Sequence, residues 1–374
     1  TCATLNVRGS VHGIEAGDIC KMYGPARDTV LSVSGTSRDD CASFQAKEPA
    51  AFIAYMPAFG PIKDCGFSGI SVSNDGGTAS GAIVVYADTD HEIDNIVIEN
   101  GSALSNLNEA ISIKYGDTFS SGNIRRVSIK NMAVGGLINN YAIAVSATCD
   151  VLNIETPRII PSTSASGNAV QLIRIESTAT IRVMRVTGWE FNHSDWPSAA
   201  AASYMVNLNG VLYQVEFVGC SIRGRAASAR FITVGTTGCQ SIALRGCEFE
   251  NLALIGLVND GASGVLRIIM DGNRFKTVTT GWDLRDDTTV VMSGNTFDTM
   301  TSGVVRPTTN ARTVNVYDLG GNSYASASAI TCASPGTAIP YGFAPIDSGA
   351  TGITKAAGAS AFNTGTGRGT IPQN

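Results

Sequence analysis

The chain has 374 residues, a net charge of −5, 15% charged residues and 41 glycines. It has no basic tract or arm, which excludes a nucleic-acid footprint. No apolar run approaches the ~18 residues that cross a bilayer, so membrane insertion by a helix is not expected. No signal peptide is evident and the chain opens on Thr1, so it reads as a piece processed or excised from a longer polypeptide.

Residues 1–60 show no clear repeat. They hold strand-like pieces such as TVLSVSG and a Pro-bearing stretch, AFIAYMPAFGPI, and read as an N-terminal cap or the worn first coils of a solenoid. An early coil follows at KDCGFSGISV, with Cys65 two residues before Phe67. Regular coils are predicted over 61–335, where one phrase returns: apolar, any, apolar, any, Gly, Cys or Asn, any, aromatic. It reads MRVTGWEF to Phe191, VEFVGCSI to Ile222, IALRGCEF to Phe249, IIMDGNRF to Phe275 and VVMSGNTF to Phe297, with a looser VYDLGGNSY to Tyr324. The gaps are 31, 27, 26, 22 and 27 residues, the period of a solenoid. A second apolar series keeps the same beat through Ile113, Val145, Ile175, Leu208, Val234, Leu257, Leu284, Val305 and Ile330. The tail, 336–374, is rich in Gly, Ala, Ser and Thr and reads as a flexible end or a segment ordered by partner chains.

A βαβ unit needs about 30 residues for one strand pair. Here two strands fit each period, and no segment shows a 3.6-residue apolar stripe. The chain must return to its own start by turns alone, which is the geometry of an all-β parallel β-helix of about ten coils. Aligned on the terminal aromatic, Trp189, Cys220, Cys247, Asn273, Asn295 and Asn322 form an interior column in which Asn amides pass hydrogen bonds along the ladder. One place after the aromatic, Arg223, Glu250, Lys276 and Asp298 alternate in sign, as an exposed charge ladder would. This sets Glu250 and Asp298 aside as catalysts.

Nine cysteines, no CxxC pair and three histidines argue against a structural zinc site, and no cofactor is expected. Cys220 and Cys247 fall on adjacent rungs, within reach of a disulfide, but read best as two buried thiols.

The phrases LRIIMDGNRF, TTVVMSGNTF and SIALRGCEFENLALIGLV resemble right-handed parallel β-helices of the pectin-lyase type, over most of the chain. Of the polygalacturonase motifs only a DD is present, Asp286-Asp287, and the pectate-lyase motifs are absent. With its degenerate coils and long polar turns, the chain is most similar to bacteriophage tailspike and tail-fibre depolymerases. That resemblance implies a homotrimer on the virion tail beside other tail proteins, binding and cleaving a bacterial surface polysaccharide such as capsule, exopolysaccharide or O-antigen. The alternatives are a non-catalytic receptor-binding spike of the same fold and a secreted pectinase-like lyase or hydrolase.

Glycoside hydrolysis needs two carboxylates, about 5 Å apart for retention and roughly 6.5–9.5 Å apart for inversion. Asp260 lies three residues after Leu257, and Asp287 three after Leu284, which predicts one rung between them and one raised pKa. Asp283 and Asp286 flank this pair, Trp282 offers a stacking face and Arg285 a partner for an acidic sugar or for the acids themselves. A second candidate is the loop WEFNHSDWP, where Glu190 and Asp195 supply acids and His193 and Trp196 a binding platform.

Overall fold

The computed structural model describes side chains between residues 61 and 324, except 67, 70–81, 88–90, 104–108, 116–121, 135–140, 159–171, 193–203, 225–228, 236–237, 260–265 and 309–312; outside that span it describes strand backbone alone. The fold is an all-β solenoid of parallel sheets, and no helix occurs among the described residues. The chain divides into two compact units, one of Thr1–Glu190 with Asp195–Ala200, the other of Phe191–Ser194 with Ala201–Asn374.

In the first unit each coil visits three sheets in turn. The first sheet stacks Thr4–Asn6, Val30–Ser32, Cys65–Ser68, Ile96–Glu99, Asn123–Lys130, Thr148–Glu155 and Thr180–Thr187, all parallel. The second stacks Ser10–His12, Ser43–Ala46, Ser71–Asn74, Ser102–Ser105, Ala133–Gly136 and Arg158–Ile160. The third runs from Cys20–Tyr23 through Ile53–Met56, Ile83–Ala87, Ile111–Tyr115 and Ile143–Val145 to Ile173–Ile175. Strand neighbours therefore always come from successive coils. The core is aliphatic, with columns such as Ile96–Val127–Leu152–Met184 and Ile98–Ile129–Ile154–Val186.

The second unit repeats the plan. Its first sheet stacks Val211–Val218, Ser241–Arg245, Leu266–Asp271, Thr288–Ser293, Thr313–Asp318, Thr337–Tyr341 and Ser360–Ala361. In two coils the second and third strands fuse, into Glu248–Val258 and Arg274–Leu284. Asn251 and Thr277, both left-handed (φ 54°), bend these long strands at the corner. Aromatic rings fill the core: Phe217, Phe231, Phe249, Phe275, Phe297 and Tyr324 follow one another at centroid spacings of 4.9–5.3 Å.

The repeated phrase marks real register. Ile222 pairs with Phe249, Phe249 with Phe275, Phe275 with Phe297, and Phe297 with Tyr324. The glycine of the phrase turns the corner out of the first sheet: Gly219, Gly246, Gly272, Gly294 and Gly321 all have φ between 58° and 73°, where a Cβ is costly. The next residue points inward, and its backbone N–H has no strand to pair with. Cys247 donates from that N–H to Asn273 Oδ1 (2.9 Å), Asn273 to Asn295 Oδ1 (2.9 Å) and Asn295 to Asn322 Oδ1 (2.8 Å). The amide groups also donate to Leu244 O and Met270 O, so the column closes its own hydrogen-bond account. Asp318 ends the ladder, accepting from Asn322 Nδ2, Gly320 N and Tyr324 Oη.

The second apolar series is shifted in two places. Val234 pairs with Val258 rather than Leu257, and Val305 pairs with Trp282 rather than Leu284. Leu257-Val258 places two apolar residues side by side, and hydrophobicity alone does not say which one faces in; Val304 and Val305 are both buried, and there the pairing is displaced by two residues, so that Leu284 faces Pro307.

Candidate functional site

The third sheet of the second unit departs from strict alternation. Along Tyr204–Leu208 the partly exposed residues are Tyr204 and Asn207, with two buried residues between them. The equivalent positions on the next coils are Arg230 and Thr233, Leu254 and Leu257, and Thr280 and Asp283, of which Arg230, Leu257 and Asp283 are partly exposed. Register stacks these positions into two outer rows, Tyr204–Arg230–Leu254–Thr280 and Asn207–Thr233–Leu257–Asp283–Arg306. Leu254 and Thr280 are only 8% and 7% exposed. The partly exposed side chains are thus Tyr204 and Arg230 in the first row and Asn207, Leu257, Asp283 and Arg306 in the second, with Thr233, Leu254 and Thr280 nearly covered.

Several of these side chains support one another. The Arg230 guanidinium lies 5.4 Å from the Tyr204 ring centroid, and its Nη1 donates to Tyr204 Oη at 3.4 Å. Burial pushes the Tyr204 phenol pKa up, while Arg230 and Arg285 pull it back. Asp283 accepts a hydrogen bond from Thr308 Oγ1 (2.7 Å) and sits 3.7 Å from Arg285 Nη2. An amphipathic ring beside charged, hydrogen-bonding side chains on a rigid sheet can stack on the apolar face of a sugar and bond its hydroxyls.

The carboxylates after this strand are placed differently. Asp286 is 2% exposed; its Oδ1 accepts from Asp287 N, and its carbonyl accepts from Thr288 Oγ1. Asp287 Oδ1 accepts from Thr313 N at 2.7 Å, which ties its turn to the following coil. Asp286 does the local backbone bonding for which turns select Asp, and Asp287 bonds the backbone of the next coil. Asp260 lies outside the described residues, and its predicted partnership with Asp287 rested on aligning Leu257 with Leu284, whereas Leu284 faces Val258.

Trp282 is not a stacking face. It is fully buried, and a Cβ on Gly256, its neighbour on the adjacent rung, would come within 2.1 Å of its ring. The glycine makes room for the indole inside the coil, and Trp282 Nε1 has no hydrogen-bond partner there. Arg285 is exposed beside Asp283. Glu190 is exposed in the first unit, in the strand Glu190–Asn192. His193, Asp195 and Trp196 lie outside the described residues.

The charge ladder is present on the neighbouring sheet. Glu250 contacts Arg223 at 3.6 Å and Lys276 at 3.0 Å, but Asp298 turns to Arg274 at 3.3 Å instead of Lys276. The hydrogen bond from Lys276, with Arg223 and Arg274 nearby, holds the Glu250 carboxyl below its usual range. Tyr204, Arg230, Asn207, Arg306 and Thr308 were not singled out by sequence. The signal was available: the second series aligned on Leu208 and Val234 sets Tyr204 directly over Arg230.

Among the described residues no group of three or more His, Cys, Asp or Glu side chains could hold a metal ion. Comparison with protein families, with curated proteins and with solved structures finds no match.

Proposed function

We propose that the chain binds a bacterial surface polysaccharide in the manner of a tailspike, along the outer strip of the third sheet in the second unit. The observation that carries this is the pair of stacked rows ending in Tyr204–Arg230 and Asp283–Arg306. A polymer of repeating sugars meets a surface of repeating rungs, spaced about 4.8 Å apart. By the same reading the chain assembles as a homotrimer on a virion tail and acts at the host cell surface, with a secreted protein as the alternative location. Cleavage of the bound glycan is the further step, with Asp283 the carboxylate on the strip and Asp287, Asp286, Asp260, Glu190 and Asp195 the remaining acids to test.

A non-catalytic receptor-binding spike is the second reading. It is favoured by one observation: Asp286 and Asp287 are occupied in backbone bonding. Capsule, O-antigen and exopolysaccharide preparations from a strain panel separate the possibilities when retention and released oligosaccharide are measured together. Retention that Tyr204→Ala weakens by ~10-fold or more, the scale of an aromatic anchor, is expected. Release of oligosaccharide that Asp283→Asn abolishes adds the enzyme; retention without release at any time makes the chain a binding spike. No retention on any preparation sinks the proposal.

A further inference from the structure

The interior corner column holds two cysteines on adjacent rungs. Cys220 and Cys247 sit two residues before Ile222 and Phe249, which pair directly. Both thiols are buried, at 1% and 2% exposure. The Cys220 backbone N–H donates to the Cys247 sulfur across 3.4 Å, so that sulfur already reaches over to the Cys220 rung. The Cys247 thiol also donates to Phe217 O and Arg245 O, both at 3.4 Å, and the Cys220 thiol to Val218 O at 3.6 Å.

Parallel neighbours about 4.8 Å apart lie inside the ~4.4–6.8 Å Cα window of a disulfide. The Cβ atoms of such neighbours must close by a few tenths of an ångström to reach the usual ~3.5–4.5 Å. The column's other bonds are made by backbone N–H groups and Asn amides, which oxidation leaves in place. The other described cysteines, Cys65, Cys149 and Cys239, lie in the first-sheet strand or its approach, each bonding a carbonyl two residues away in its own segment.

We propose that Cys220 and Cys247 are an oxidative modification site, forming an intercoil disulfide when the chain folds in the presence of a small-molecule disulfide. The Cys247 thiolate attacks one sulfur of the oxidant, and the other leaves as a thiolate. The Cys220 thiolate then attacks the Cys247 sulfur of the mixed disulfide and expels the second thiolate. Two thiols are oxidised, one disulfide is reduced to two thiols, and the two cysteine protons pass to the departing sulfurs. The bond cross-links successive coils and confines the unfolded chain between them.

The test refolds the full chain from its reduced, denatured form in oxidised and reduced glutathione. It then alkylates under denaturing conditions and maps peptides by mass. A Cys220–Cys247 linked peptide in the oxidised sample, absent after reduction, is expected. So is slower unfolding of the oxidised protein, by ~10-fold or more, that Cys220→Ala removes. Cys220→Ala is chosen because it keeps the Cys247 sulfur that accepts the Cys220 N–H. Should that variant fail to fold, the wild-type peptide map still decides. Full alkylation of both cysteines after oxidative refolding overturns the proposal, as does linkage of either one to a different cysteine.

Discussion

The two units turn one corner with different residues. Leaving the first sheet, three successive coils of the first unit use Asn100, Asn131 and Thr156 at φ 45–56°, flanked by Gly69 and Gly188 at 72° and 59°, while the second unit uses glycine in every coil from Gly219 to Gly321. In the first unit the side chains at this corner form an outside ladder: Asn131 Nδ2 donates to Asn100 Oδ1, and Thr156 Oγ1 donates to Asn131 Oδ1. In the second unit the ladder is inside, one residue later, at Asn273, Asn295 and Asn322. The buried N–H of that inner position is satisfied in both: Gly101 donates to Met132 Sδ at 3.3 Å, much as Asn273 donates to Asn295. One backbone path thus admits several side-chain solutions, provided the left-handed residue is tolerated and the inner N–H finds an acceptor.

The largest test strikes the inner ladder. Asn295→Leu removes the acceptor of the Asn273 N–H and the side-chain donor to Met270 O, both buried, while Asn322 Oδ1 keeps the residue-295 backbone N–H. At ~1–3 kcal/mol for each stranded group, a loss of about 2–6 kcal/mol is expected from denaturant unfolding. Met132→Leu, at the equivalent place in the first unit, should cost less than ~1.5 kcal/mol, because it is a volume-conserving swap and sulfur is a weak acceptor. Equal costs would mean that the two corners are held alike after all.

This contrast explains what could be read in advance. The phrase ending at Phe249, Phe275, Phe297 and Tyr324 was legible because glycine, Asn and an aromatic recur at fixed offsets, and the register it implied is the one observed. In three coils of the first unit the same geometry is built from Asn-Gly-Ser-Ala, Asn-Met-Ala-Val and Thr-Pro-Arg-Ile, which share a backbone path and little else. The site was harder still. Asp260 and Asp287 were chosen from spacing, yet spacing does not reveal that Asp287 bonds Thr313 N or that adjacent apolar residues shift the register by one. Trp282 shows the same limit: nothing in its neighbours in sequence announces that Gly256 on the next rung leaves a hole for it. Tyr204 and Arg230 become visible only once two coils are laid side by side.

A middle-sized effect separates the corners by backbone alone. Gly272 has φ 63° and open space where a Cβ would go, so Gly272→Ala meets the left-handed penalty without a clash. A loss of about 1 kcal/mol is expected in the same unfolding measurement. Asn131→Gly gives up exposed side-chain bonds while relaxing the same backbone angle, and should stay within ~0.5 kcal/mol. If Gly272→Ala were neutral, the preference for glycine in the second unit would have to come from something other than φ.

The smallest effect lies on the surface. Lys276→Ala removes the hydrogen bond and ion pair that hold Glu250 below its usual pKa of 4.5. A lowered folded-state pKa contributes stability that is present above the unfolded value and is lost as the pH falls through the folded one. The pair is exposed, so the contribution at pH 7 is about 0.3 kcal/mol, typical of surface ion pairs. Wild type should therefore exceed Lys276→Ala by that margin at neutral pH, and the gap should close once the medium is acid enough to protonate Glu250 in the folded state. The corresponding pair in the first unit, Lys130 and Glu155 at 3.6 Å, carries no such hydrogen bond, so Lys130→Ala should show a smaller gap at pH 7. A Lys276→Ala gap that persists unchanged into acid would mean that the lysine stabilises the coil by packing its methylenes over the sheet, with Glu250 a bystander.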